Sequence, residues 1–156
     1  MTMALHVTLL GPRQILMIYD GTCGICSATA RRMQQLDWRQ RLAWQPSQAA
    51  GLHEVAGLSR ADTETAVWAV LPSGALRRGA AAMFVALDQL LPGGLPVLST
   101  LYRVPGLHQA ADAGYRWIAA NRQRIPGAPA CGLDRVVAPL SSAVHDELAR
   151  RQADRR

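Results

Sequence analysis

The strongest constraint on this chain is a junction close to its start. An apolar run, Ile15-Leu16-Met17-Ile18, leads into Tyr19-Asp20-Gly21-Thr22 and then Cys23-Gly24-Ile25-Cys26, and a segment with helical spacing, 28–36, follows. That order predicts a buried strand, an Asp-Gly turn, and a helix whose first turn holds two cysteines three residues apart. The i,i+3 spacing puts both sulfurs on one side of the helix, within reach of a small disulfide ring. Thr22 is the expected N-cap, its hydroxyl accepting from a free first-turn amide.

The position of Cys23 is what points to chemistry. A thiolate at a helix N-terminus faces unpaired N–H groups and the positive end of the helix dipole, and both favour the charged form. A thiol lowered from ~8.5 to ~7 becomes about half thiolate at neutral pH. Cys26, one turn deeper, is expected to be the less exposed and more ordinary thiol. The pair therefore suits disulfide exchange, with Cys23 attacking and Cys26 resolving the mixed disulfide. Asp20, three residues before Cys23, has two compatible readings. It either relays protons and tunes the pair, or bonds its own backbone in the Asp-Gly turn.

The remaining pattern is α/β. Strands are expected over 14–19, 41–45 (ended by Pro46), 65–71 and 75–78, with Pro72-Ser73-Gly74 turning the last two into a hairpin. Helices are expected over 23–36 and 79–91, the second stopped by Pro92-Gly93-Gly94. The stretch 47–55 reads as weakly helical and 56–62 as a loop. A lead-in of 1–13 thus precedes a core of 14–94. From residue 95 onward the pattern is helical, over 97–104, 107–124 and 141–151, and reads as an extension on the same domain through 156. Trp38, Trp44, Trp68 and Trp117 are assigned to the core, with Trp68 a candidate to line a groove beside the cysteines.

Composition narrows the options. With 156 residues and 49% apolar content, the chain suits one domain with a proper core. The net charge is +6, yet the arginines are scattered and no nucleic-acid motif accompanies them, so no nucleic-acid partner is expected. Residues 1–10 do not resemble a signal peptide, and 80–91, broken by Asp88 and Gln89, is too short to span a bilayer. A cytoplasmic protein is expected. Three cysteines argue against a secreted disulfide framework. Cys131 is either a third redox partner or a buried small residue. A zinc site would need Cys131, His108 and His145 to join the pair at unusual spacings, so no metal is expected. The absent histidine after Cys26 excludes c-type haem.

The segment around Tyr19, Asp20, Gly21, Cys23 and Cys26 resembles the YDG-x-C-x-x-C motif of the DCC family, small bacterial proteins described as thiol–disulfide oxidoreductases. Gly79-Ala80-Ala81-Ala82 is similar to that family's Gly-x-x-Ala segment. The block Tyr115 to Arg122 is similar to its Tyr…Ala-x-Asn-Arg block, and Cys131 sits where many members carry a later cysteine. The resemblance covers roughly residues 14 to 133. It implies a thioredoxin-like fold, βαβ followed by ββα, with an α-helical C-terminal extension, and exchange at Cys23 and Cys26. The implied partners are a protein or small-molecule disulfide and a thiol electron donor, and no cofactor is needed because electrons arrive through thiols. A non-catalytic binding module on the same fold is the other class considered. Two positions depart from the pattern. No proline precedes the third strand, where thioredoxins place a cis-proline, and Gln123 replaces an aromatic residue.

Overall fold

The computed structural model describes residues 10–122, 124–125 and 139–155. Four strands, β1 (Ile15–Tyr19), β2 (Leu42–Pro46), β3 (Trp68–Val70) and β4 (Leu76–Arg78), form one sheet in the order β2-β1-β3-β4. β1 runs parallel to β2, with Ile15 opposite Leu42 and Tyr19 opposite Pro46. It runs antiparallel to β3, which closes a hairpin with β4. Pro46 is the last residue of β2, so the strand ends at the proline, as expected, and includes it. The N–H that reaches the Tyr19 carbonyl belongs to Ser47, so proline on this edge strand removes no ladder bond.

Between the strands lie α1 (Gly24–Leu36), α2 (Leu52–Ala56) and α3 (Arg60–Thr65), and α4 (Gly79–Leu90) follows β4 directly. The order is βαβ then ββα, a thioredoxin-like arrangement. One expected boundary moves: Thr65 ends a helix instead of opening β3. Ser59 and Asp62 form a capping box, each side chain bonding the other's backbone N–H, and this starts a helix where a loop was expected.

β1 explains how the core divides. Its side chains alternate between the two faces of the sheet. Leu16 and Ile18 join Leu52 and Val55 of α2, whereas Ile15 and Met17 join Ala30 and Met33 of α1 and Ala82 and Ala86 of α4. These four β1 residues are all buried, so the sheet carries helices on both sides.

Beyond α4 the chain continues in α5 (Val97–Leu101), α6 (Leu107–Asn121) and α7 (Ser142–Asp154). Asp88, buried in α4, accepts hydrogen bonds from the N–H groups of Leu98 and Ser99 at 2.7 and 3.0 Å and so caps the start of α5. α7 places Val144 and Leu148 in the Leu16–Ile18 cluster. Trp44 is buried, but the core assignment fails for Trp38, 75% exposed in the turn after α1, and for Trp117, 65% exposed on α6. Trp117 lies on the outer side of a helix that buries none of its residues, so helical spacing gave no measure of its environment.

The largest fully buried side chain is Arg151 of α7. Its guanidinium donates to the Gly11 and Val70 carbonyls and to Glu147, tying the last helix to the sheet. The hairpin turn closes against this helix. Gly74 has φ +80°, and a Cβ there would collide with the Arg151 carbonyl. Arg151→Ala should lower the unfolding free energy by about 3 kcal/mol, read from urea denaturation, because Glu147 and two carbonyls lose a buried partner. Glu147 is held down at about 2, first by the hydrogen bonds of Arg150 and then by those of Arg151. A depressed carboxyl stabilises the fold above its unfolded value. Denaturation midpoints should therefore fall as pH drops from about 4.5 towards about 2, and Glu147→Gln should flatten that fall.

Candidate active site

The turn after β1 is shaped by close contacts. The N–H of Cys23 donates to the Asp20 carbonyl at 3.2 Å, closing the turn. At Gly21 a Cβ would sit 2.7 Å from Gln48 Oε1 and 2.9 Å from Pro46 Cβ, so only glycine fits. Helix α1 begins one residue later than expected, with Cys23 as its N-cap. Cys23 Sγ accepts from the Cys26 N–H at 3.3 Å. Thr22 does not cap the helix. Its hydroxyl donates to Asp20 Oδ1 at 2.7 Å, and the capping position belongs to Cys23. Cys23 and Cys26 are joined by a disulfide, with Cα atoms 5.2 Å apart. Both are partly buried, so the expected contrast of one exposed and one deep sulfur is not seen in their burial.

Asp20 is 8% exposed, at the end of the central strand. Its Oδ1 accepts from Thr22 N–H at 3.0 Å, from the Thr22 hydroxyl, and from Gln48 Nε2 at 3.0 Å. Arg122 Nη2 lies 3.5 Å from Oδ2. Gln48 spans the turn, since its Oε1 also accepts from the Gly21 N–H at 3.0 Å. Of the two readings of Asp20, the turn reading has its bond in place: the Thr22 N–H donates to Oδ1.

Arg122 and Tyr115 bring α6 to this site. Arg122 also donates to the Glu64 carbonyl at 2.9 Å. The Tyr115 hydroxyl accepts from the Val67 N–H at 2.8 Å, just ahead of β3, where the fold elsewhere carries its cis-proline. No cis peptide bond occurs among the described residues. Burial raises the Tyr115 phenol above its ordinary value, against the opposing effects of the Val67 N–H and the charges of Arg122 and Arg78. The phenol therefore stays neutral across the physiological range.

Beside the disulfide lies a cleft of about 530 Å³. One wall is Tyr19, Asp20, Ile25, Cys26 and Trp44, and another is 65–67 with Ala80, Met83 and Phe84. The third is the inner face of α6, where Ala111, Gly114, Tyr115, Ile118, Ala119 and Arg122 recur at helical spacing. Cys26 lines the cleft, whereas Cys23 is not part of its walls.

A family model for DCC1-like thiol-disulfide oxidoreductases matches residues 17–128, most of the chain. The chain belongs to the DCC1-like thiol-disulfide oxidoreductase family. No curated protein and no solved structure matches it. The matched span runs from the middle of β1 past α6, so this DCC1-like chain carries its Cys-x-x-Cys pair and the helix facing it within one family unit.

Trp68 does not line the cleft. It packs with the Leu16–Ile18 cluster on the opposite face, and its indole N–H donates to the Asp62 carbonyl. Cys131 lies outside the described residues. Among the described residues no group of three or more His, Cys, Asp or Glu is placed to hold a metal, and no helix is long and apolar enough to cross a membrane. His108 meets Tyr102 edge-on and His145 lies by Asp146, and neither lines the cleft beside the pair. The turn residues were found from sequence, but Gln48, Tyr115 and Arg122 were given no role there. The i,i+7 spacing of Tyr115 and Arg122 was the available signal for the last two, because it puts them two turns apart on one helix face. Tyr115→Phe should destabilise the fold by about 1 kcal/mol in urea titrations, since the half-buried Val67 N–H loses its acceptor.

Proposed function

We propose that this protein is a protein-disulfide reductase of the cytoplasm, working through Cys23 as nucleophile and Cys26 as resolving thiol. One observation carries the reading: Cys23 Sγ occupies the N-cap of α1, takes the Cys26 N–H, and is already bonded to Cys26. A reduced Cys23 at that position is stabilised as the thiolate by the first-turn N–H groups and the helix dipole.

The reaction follows from that asymmetry. The Cys23 thiolate attacks a sulfur of the substrate disulfide, a mixed disulfide forms, and one substrate thiolate leaves. Cys26, one helical turn away, then attacks Cys23 Sγ and releases the second substrate thiol. The protein is left in the oxidised form and must be returned to the dithiol by a thiol donor. In a glutathione-poised cytoplasm the dithiol is the resting state, which makes reduction of substrates the net direction. Asp20 serves this chemistry by holding the turn that presents Cys23, and so acts as a positioning residue.

Insulin-disulfide reduction and thiol trapping test the assignment. Cys23→Ser should abolish turnover. Cys26→Ser should stop after one step and accumulate a mixed disulfide on Cys23. Equal, wild-type turnover in both variants would overturn the reading. The pH profile of alkylation should give Cys23 a midpoint below the free-thiol value of about 8.5. Asp20→Asn should slow exchange without moving that midpoint, whereas a displaced midpoint would give Asp20 a titrating role.

A further inference from the structure

We propose that the cleft beside Cys26 is the seat of the electron donor, and that this donor is a small, neutral, apolar thiol or dithiol. The inference rests on the exchange reading of the cysteine pair and adds to it a second, separate approach to the disulfide.

The cleft is lined by one cysteine of the pair and not by the other. Cys26 is in its wall and Cys23 is not. Thiol–disulfide exchange displaces one sulfur by another, and the rate rises when the departing thiol has the lower pKa. A donor in the cleft meets Cys26, so the sulfur it displaces is Cys23. That is the one whose negative charge is met by the Cys26 N–H and the start of α1.

The step balances without other reactants. The donor thiolate bonds to Cys26 Sγ as the Cys23–Cys26 bond breaks, and the electron pair leaves on Cys23. A second donor thiol, or the second sulfur of a dithiol, attacks the donor sulfur of that mixed disulfide. Cys26 departs as thiolate and takes a proton from solvent. Two donor thiols become one disulfide, and the protein disulfide becomes two thiols.

The walls define the donor. The charged side chains lining the cleft, Asp20 and Arg122, face each other at 3.5 Å, so the site offers no net charge to a charged thiol. Its other contributors include Met83, Phe84 and Ile118, and its volume of about 530 Å³ lies in the range of small-molecule sites. A peptide laid on the loop before β3 as an added strand is disfavoured. There the Val67 N–H is held by Tyr115, the Val67 carbonyl by Gly79 and the Glu64 carbonyl by Arg122. Gly114 keeps the space open. Glycine is unfavourable in the interior of a helix, yet it stands mid-way along α6, where a Cβ would meet nothing within 4 Å.

Benzyl mercaptan and para-(mercaptomethyl)benzoate, which share a thiol environment and differ in charge, test this on the oxidised full chain. Benzyl mercaptan should open the Cys23–Cys26 bond about tenfold faster or more, with saturation, as expected for discrimination by an apolar pocket. Gly114→Leu and, independently, Ala111→Leu should bring the two rates together while retaining the helical circular dichroism. Peptide mapping of the trapped intermediate should place the benzyl thiol on Cys26. Equal rates in the wild type, a preference that survives both filled variants, or an adduct on Cys23 would overturn the donor assignment while insulin reduction persists. Failure of both thiols to open the bond, together with no insulin reduction, would overturn the exchange reading as well.

Discussion

A buried carboxylate has to be surrounded by donors or it destabilises the fold, and Asp20 meets this demand with groups from three distant parts of the chain. Thr22 comes from the turn itself, Gln48 from the segment after β2, and Arg122 from the end of α6. Each of these contacts has a structural consequence. Thr22 ties the turn to the carboxylate, next to Cys23 at the N-cap of α1. Gln48 clamps Gly21 against the edge strand. Arg122 brings a helix from the other end of the family unit to the cysteine pair. The turn, the N-cap cysteine and one cleft wall thus all meet at a single charge.

The two sulfurs end up in different surroundings although they are bonded to each other. Cys23 receives a backbone N–H and the field of the helix start, while Cys26 borders an apolar space. A helix terminus favours negative charge, and an apolar surface disfavours it. On the proposed exchange reading, these surroundings favour charge on Cys23 over Cys26. This asymmetry comes from backbone placement, which explains how so short a motif can specify it.

The helices after α4 divide their work. α7 acts as a structural element, with Val144 and Leu148 in the core and Arg151 bonded to the sheet. α6 does the opposite. None of its residues is buried, and half of its inner-face positions are alanine or glycine, so it stands off from the core. Polar contacts of Tyr115 and Arg122 hold it in place without closing the gap.

The sequence by itself determined the elements whose causes are local. The β1 run, the Asp-Gly turn, the cysteine spacing and the breaks at Pro72 and Pro92 act over a few residues, and the fold class and the bonded cysteine pair follow from them. Local signals were also enough for Ser59 and Asp62, although that capping box was overlooked and α3 with it. Only the tertiary structure decided the rest. Trp38 and Trp117 have the composition of core residues but face solvent, because burial depends on which element lies opposite and not on side-chain type. Gln48, Tyr115 and Arg122 acquire their roles by meeting Asp20 and Val67 across 28 to 102 positions of chain. No periodicity encodes such a meeting, since it exists only once the sheet has brought the strand ends and the final helices together.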